Sequence, residues 1–290
     1  MRNLDAKSVT GLVLASPAAI FTIIFFLVPA VLLFVYSFWL SKSFTLIPAM
    51  TLENYTRALM NPGFYTVLFS SLKIGVLTAI VAIGLSFPVA MYIVYRSTSN
   101  TVLYLILASW LSSYLVRIYG WRMILGSKGL INTSLLELGV IKEPLEFILY
   151  NSTAVIIALV HVYIPVALLL LVSALRDVKS DYLDAARDLG ASGFLVFTKV
   201  IMPMIHRGFI SAFMFTLILA AGDFVTPQLL GGRDGTTVGV FISNQFRQTG
   251  NWPFGAAMAF IAFFAFAVIY VLLVQGLRLA GLAPFKHSKR

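Results

Sequence analysis

The chain has 290 residues, of which 60% are hydrophobic and only 11% charged, with a mean hydropathy of +0.94. Soluble domains carry about 25% charged residues, so this composition excludes a water-soluble fold and points to a chain solvated mostly by lipid. The absence of cysteine excludes disulfides, thiolate metal sites and cysteine catalysis, and in so apolar a chain the net charge of +10 is read as topology-setting loops and contact with anionic membrane lipid, with no nucleic-acid partner.

Six stretches are apolar over the roughly 20 residues that a helical span needs. They cover about 12–38, 68–95, 102–125, 154–175, 209–230 and 254–279. Lipid offers no partner to a free backbone amide or carbonyl, so these stretches are expected to be helices, and the fold class is an all-α membrane protein. Arg2 and Lys7 precede the first stretch as in a secretory signal, but its apolar run far exceeds the roughly 7–15 residues of a signal core. It is read as a retained span. The 46–64 segment is a polar loop, with Asn61-Pro62-Gly63 as a turn. Pro88 is a potential kink in the second stretch. The third is the least clean, since Arg117 and Arg122 interrupt it. In the fourth, His161 is a lone histidine, read as an interhelical hydrogen-bonding residue rather than a proton carrier. Trp39, Trp110, Trp121 and Trp252 suit interfacial belts.

Placing both termini in the cytoplasm puts twelve Lys and Arg residues on the inner side and eight outside, with Lys73 within the opening turn of the second stretch. The bias favours that orientation. No linker, low-complexity tract or soluble domain interrupts the chain, so residues 1–290 are read as one transmembrane domain with a cytoplasmic loop at 176–207.

That loop has helical character. Ser180 suits an N-cap, and Asp181 and Asp184 suit the first turn of a helix. Tyr182, Ala185, Ala186 and Leu189 recur at i, i+3, i+4 and i+7 and share an apolar face with small residues at its middle. Gly190 can stop the helix with a positive φ. Two roles fit: a helix lying on head groups or packed on its own bundle, or a knob docking in a groove of a peripheral protein.

The same stretch resembles the cytoplasmic signature of ABC importer permeases, Glu-Ala-Ala, three residues, Gly, nine residues, Ile-x-Leu-Pro. It stands as Asp184-Ala185-Ala186, Gly190 and Val200-Ile201-Met202-Pro203, with the spacing kept and Asp, Val and Met as mild replacements. The resemblance implies the type I, binding-protein-dependent permease fold. It also implies a coupling helix in which Asp184, Ala185, Ala186, Leu189, Gly190 and Pro203 receive force from a cytoplasmic ATPase.

Two further motifs, Tyr114-Leu-Val-Arg117-Ile-Tyr119-Gly-Trp121 and Gly222-Asp223-Phe224-Val-Thr-Pro227, resemble permeases of the spermidine/putrescine type, and the likeness runs along most of the chain. Permeases for opines, other amines, aminoethylphosphonate and ferric iron share parts of these motifs. The resemblance implies a bacterial inner-membrane protein working with an ABC ATPase dimer, a second, homologous but non-identical permease and a periplasmic substrate-binding protein. Asp223 is the only acid of the fifth stretch. Either it lines a path for an amine, with Tyr119, Trp121 and Phe224 offering aromatic faces to ammonium groups, or it pairs with Arg117 or Arg122 and locks helices together. Pro227 is expected to end or bend the fifth span. The chain has no Gly-rich Lys-Ser/Thr phosphate loop, so it takes no cofactor and ATP is used by a partner. A solitary secondary transporter, which needs intramembrane acids or an internal repeat, and an intramembrane enzyme are the weaker readings.

Overall fold

A computed structural model describes residues 6–42 and 45–283, with side chains from Val13 onward. Arg2, Lys286, Lys289 and Arg290, which enter the orientation argument, lie outside the described residues. The helices, in chain order, are α1 (Ala6–Thr22), α2 (Val28–Tyr36), α3 (Glu53–Leu59), α4 (Pro62–Tyr95), α5 (Thr101–Trp110), α6 (Tyr114–Leu125), α7 (Leu130–Glu137), α8 (Ser152–Arg176), α9 (Ser180–Asp188), α10 (Gly193–Val196), α11 (Met202–Gly222), α12 (Val238–Arg247) and α13 (Trp252–Leu279). Between α2 and α3 a short antiparallel hairpin pairs β1 (Leu40–Lys42) with β2 (Thr45–Ile47) in the register Leu40↔Ile47. Five described helices are long and apolar enough to cross a membrane: Val13–Tyr36, Pro62–Tyr95, Ser152–Arg176, Gly193–Gly222 and Trp252–Leu279.

The chain divides into two compact units, residues Met1–Pro62 with Ile242–Ala262, and Gly63–Phe241 with Phe263–Arg290. In the first, the carbonyls that α2 leaves at its end are collected by Asn54, whose Nδ2 donates to Ser37 O at 3.0 Å and Trp39 O at 2.7 Å. Tyr55 bonds the Ser37 hydroxyl, and Arg57 stacks over the Phe254 ring at 4.5 Å.

The second unit carries the candidate sites. Its core is built on close helix approaches made possible by small residues, the pattern expected where lipid removes the hydrophobic drive between helices. A Cβ on Gly75 would stand 2.8 Å from the Ala221 methyl and 2.9 Å from Leu217 O, and one on Gly208 would overlap the Ala174 methyl. At the end of α4, the Tyr95 hydroxyl donates to the carbonyls of Leu175 and Val178, 3.1 and 3.2 Å away, closing the C-terminus of α8.

Three boundaries differ from those read in the sequence. Of Asn61-Pro62-Gly63 only Asn61 belongs to the turn that separates α3 from α4: Pro62 already opens α4, a position where its missing N–H costs nothing. The third apolar stretch is not one straight helix, since Thr101–Trp110 and Tyr114–Glu137 meet at 87°. Serines cause the break: Ser109 and Ser112 turn their hydroxyls back on Ile106 O and Ser109 O, and Ser113 is extended at ψ 132°. The fifth helix begins well before residue 209. It is continuous from Gly193 to Gly222, opened by Ser192, whose Oγ accepts from Leu195 N. A π-helical turn at Phe197–Ile201 precedes Pro203 and leads into α11, so Pro203 lies inside this helix without breaking it.

Candidate functional site

The sequence of α9 explains its shape. Ser180 is its first helical residue and Lys179 the cap, with no side-chain cap bond, a shift of one position from the sequence reading. At the other end Leu189 is the C-cap and Gly190 follows at φ 80°. Gly190 N donates to Arg187 O at 2.8 Å and Ala191 N to Ala186 O at 3.0 Å, the paired bonds of a Schellman stop. The only salt bridge among the described residues is also here, Arg187 to Asp184 at 3.0 Å, exposed and worth well under about 1 kcal/mol.

The helix is held by Leu183, only 3% exposed, which joins the core formed by Val178, Val196 and Ile201. The face that periodicity singled out points elsewhere. Tyr182 is 50% exposed and Leu189 89%, Ala185 is exposed and Ala186 half-buried. Of that face only Ala186 packs against the core; Tyr182, Ala185 and Leu189 are left exposed. Periodicity found an apolar stripe but missed that Leu183, one residue beside it, is the anchor. Phe194 and Leu195, exposed just beyond Gly190, extend the outward apolar surface. Pro203 lies within the helix that follows and not on α9 itself.

The second constellation lies where α11 ends. Asp223 leaves the helix at φ −65°, ψ 137°. Its Oδ1 accepts from Val225 N at 3.0 Å and its Oδ2 from the Tyr114 hydroxyl. Tyr114 also bonds Thr226 Oγ1 at 2.6 Å, and Thr237 Oγ1 donates to Asp223 O at 2.6 Å. Ser71 of α4 closes the group, its Oγ accepting from Val238 N. The break therefore falls at Asp223, four residues before Pro227. Pro227 instead starts a π-helical turn, Pro227–Gly231, again at a position that needs no N–H.

Asp223 pairs with neither Arg117 nor Arg122 among the described residues; a tyrosine and a backbone amide hold it instead. Tyr114, Arg117 and Trp121 share one face of α6. Trp121 Nε1 donates to His161 Nδ1 at 3.2 Å, an α6–α8 bond that gives the lone histidine its interhelical role. Tyr163, on α8, donates to Leu219 O and lies within electrostatic range of both Asp223 and Arg117, and Arg117 Nε is buried with no hydrogen-bond partner among the described residues. Phe224 is exposed beside Asp223. Tyr119 faces away from this group and lines a separate cavity of about 800 Å³ with Arg122, Lys128, Glu146 and Tyr150. Tyr114 and Thr226 lie within the two motifs, but sequence alone assigns neither of them, nor Tyr163 or Thr237, a role at Asp223. Only Tyr114, one turn before Arg117 on the same helical face, carried a signal that periodicity can detect.

Long apolar helices, a short helix with an exposed apolar face and a long helix that ends at a buried acid suit the class of transport permeases, and the chain's similarity to known proteins shows that class. Residues 102–278 match the family described as binding-protein-dependent transport system inner membrane component, and the chain belongs to that family. It is 35% identical over 241 residues to the spermidine/putrescine transport system permease protein PotB of Haemophilus influenzae, covering 82% of this chain and 83% of that one. PotB of Escherichia coli is 35% identical over 209 residues, 71% and 75% of the two chains. The inner membrane ABC transporter permease protein YdcU of E. coli is 29% identical over 245 residues, 79% and 77%. Among solved structures, a bacterial ABC transporter importing alginate superposes with a TM-score of 0.69 at 15% identity, covering 94% and 96% of the chains. The MetNI methionine transporter gives 0.53 at 15% identity over 76% and 98%. These share the permease fold. The chain is thus a non-catalytic inner-membrane subunit of an ABC importer, and ATP hydrolysis belongs to a separate subunit.

Proposed function

We propose that this chain forms half of the translocation path of an importer for spermidine, putrescine or a related small cationic amine. Its 35% identity to two PotB permeases along most of its length carries this reading. A second, homologous permease supplies the other half of the path as a heterodimer. A periplasmic binding protein delivers substrate, an ATPase dimer drives the cycle, and membrane lipid covers the outer faces. Residues 1–290 act as one permease domain with both termini in the cytoplasm.

In this reading α9 is the coupling helix. Tyr182, Ala185, Ala186 and Leu189 enter a groove of the ATPase, Leu183 fastens α9 to the bundle, and Gly190 ends the knob. The stroke passes to the 30-residue helix Gly193–Gly222, about 45 Å long at 1.5 Å per residue. Its far end is the Asp223 break. Asp223 is only 9% exposed while its bond to Tyr114 is closed, so an amine gains its free acceptor sites only when the stroke separates α6 from the end of α11. Arg117, Trp121 and Phe224 border that point. Alternating access then follows from the opening and closing of this bond as the ATPases close and part.

The test is ATP hydrolysis by the reconstituted complex, titrated with binding protein loaded with spermidine or putrescine. Stimulation by the loaded form supports the amine assignment. Assembly with ATPase but indifference to amines retains the permease and assigns it to another substrate, such as an opine, aminoethylphosphonate or ferric iron.

A further inference from the structure

We infer that the 800 Å³ cavity beside α6 is a socket for an acidic side chain of the substrate-delivering protein. The inference rests on the reading that α9 faces the cytoplasm. The cavity's walls are the 126–129 loop and the segment ending at Tyr150, immediately before α8. α9 begins just beyond the other end of α8. Twenty-five helical residues span about 37 Å, more than the roughly 30 Å hydrocarbon core. Cavity and α9 therefore open on opposite sides of the membrane. The irregular backbone of both walls belongs in water, since lipid leaves such segments without hydrogen-bond partners.

Charge selects the occupant. Arg122 and Lys128 face the cavity against one acid, Glu146, and neither cation forms a salt bridge among the described residues. A cationic amine is repelled from such a site. A carboxylate is attracted, and the guanidinium fork can grip it with two bonds. Tyr119 and Tyr150 supply the amphipathic rings common at protein interfaces, and exposed Met123, Leu130 and Phe147 stand nearby.

The socket is also stiff. Asn132 bridges its two walls: Nδ2 donates to Gly126 O at 2.9 Å and Oδ1 accepts from Leu145 N at 2.7 Å. Gly129 sits so tightly under α6 that a Cβ would strike the carbonyls of Met123 and Ile124. Tyr150 is the one described non-glycine residue with positive φ, 62°, and its carbonyl is packed against Gly232. Asn151 holds that strained turn from the next position, donating to Phe147 O and capping α8 through Ala154 N. Left-handed backbone at a bulky residue is strained, and such strain clusters at ligand clamps and switch regions.

The experiment measures the affinity of fluorescently labelled, spermidine-loaded binding protein for the complete importer in nanodiscs of phosphatidylcholine, and again with added phosphatidylglycerol. Arg122→Glu with Lys128→Glu is expected to raise Kd about tenfold or more, and to abolish its increase with salt, in both lipids. ATP hydrolysis without binding protein should stay unchanged. The milder pair Arg122→Gln, Lys128→Gln should give a smaller rise in the same direction, and it keeps the test open if the reversal impairs folding. An unchanged Kd in a complex that still hydrolyses ATP overturns the socket alone. An effect confined to phosphatidylglycerol discs also overturns it, by making a lipid phosphate the occupant. A wild-type chain that assembles with no ATPase contradicts the permease reading instead.

Discussion

Replacing Gly190 separates two explanations of why a glycine ends α9. A Cβ at this position meets no atom within 4 Å among the described residues, so none of them resists a larger side chain. The φ of 80° does. Left-handed backbone costs a residue with a Cβ roughly 1–2 kcal/mol, partly offset by the roughly 0.5–1 kcal/mol that glycine loses in chain entropy on folding. Gly190→Ala should therefore weaken the stop by about 1 kcal/mol, lowering the ratio of correctly ended to frayed helix roughly fivefold. Asn tolerates the left-handed region better than Ala, so Gly190→Asn should retain more function although its side chain is larger. Valine, β-branched, should retain least. The assay is ATP hydrolysis stimulated by loaded binding protein, with amine uptake as a second readout. The expected order is Gly, Asn, Ala, Val. If Asn falls at or below Ala, conformation is not what the position demands, and side-chain volume against the ATPase governs it instead.

Four other outcomes follow from the same geometry. Leu183→Ala should destabilise the seat of α9 by about 2–5 kcal/mol, lowering the melting temperature and ATPase association, whereas Tyr182→Ala should leave melting within about 0.5 kcal/mol of wild type yet reduce uptake. Ala186→Glu should abolish uptake while the protein remains in the membrane, as a carboxylate replaces a half-buried methyl at the docking face; normal uptake in this variant counts against the coupling role. Gly208→Val should destabilise the α8–α11 contact by about 1–3 kcal/mol or more, read as lost thermal stability, and Ala174→Gly should recover part of it. Tyr114→Phe and Asp223→Asn should show a coupling of about 1.5–3 kcal/mol in a double-mutant cycle on stability; additivity within about 0.5 kcal/mol contradicts the hydrogen bond.

Apolar runs in lipid are almost obligatorily helical, so most long helices could be read from hydropathy. The places that escaped are those where local chemistry overrides hydropathy. Hydropathy does not register the three serines that turn α5 away from α6. It also starts the fifth helix too late: Gly193–Met202 is apolar apart from Thr198 and Lys199, but Pro203, His206 and Arg207 interrupt the run before Phe209 while the helix continues through them. On α9 the glycine stop was readable because only a positive φ demands that residue so strongly. The inward anchor was not, since Leu183 stands alone and a single buried residue has no period. Asp223 draws notice as a lone acid, but of the two roles open to it the pairing with Arg117 or Arg122 is not the one found, and its tyrosine partner is not foreseen. A tyrosine hydroxyl on a distant helix makes no pattern that charge counting can find.

Cysteine accessibility at α9 tests the coupling claim most directly, and the natural chain contains no cysteine to remove. Leu189→Cys and Leu183→Cys are introduced singly, the complex is reconstituted, and each is treated with a membrane-impermeant thiol reagent from either side and with a short bifunctional cross-linker. The account predicts that Cys at 189 is labelled only from the cytoplasmic side, is protected when the ATPase is bound and cross-links to it, while Cys at 183 does neither. Labelling of position 189 from the periplasmic side, or equal labelling with and without ATPase, would contradict the assignment of α9 as the coupling helix.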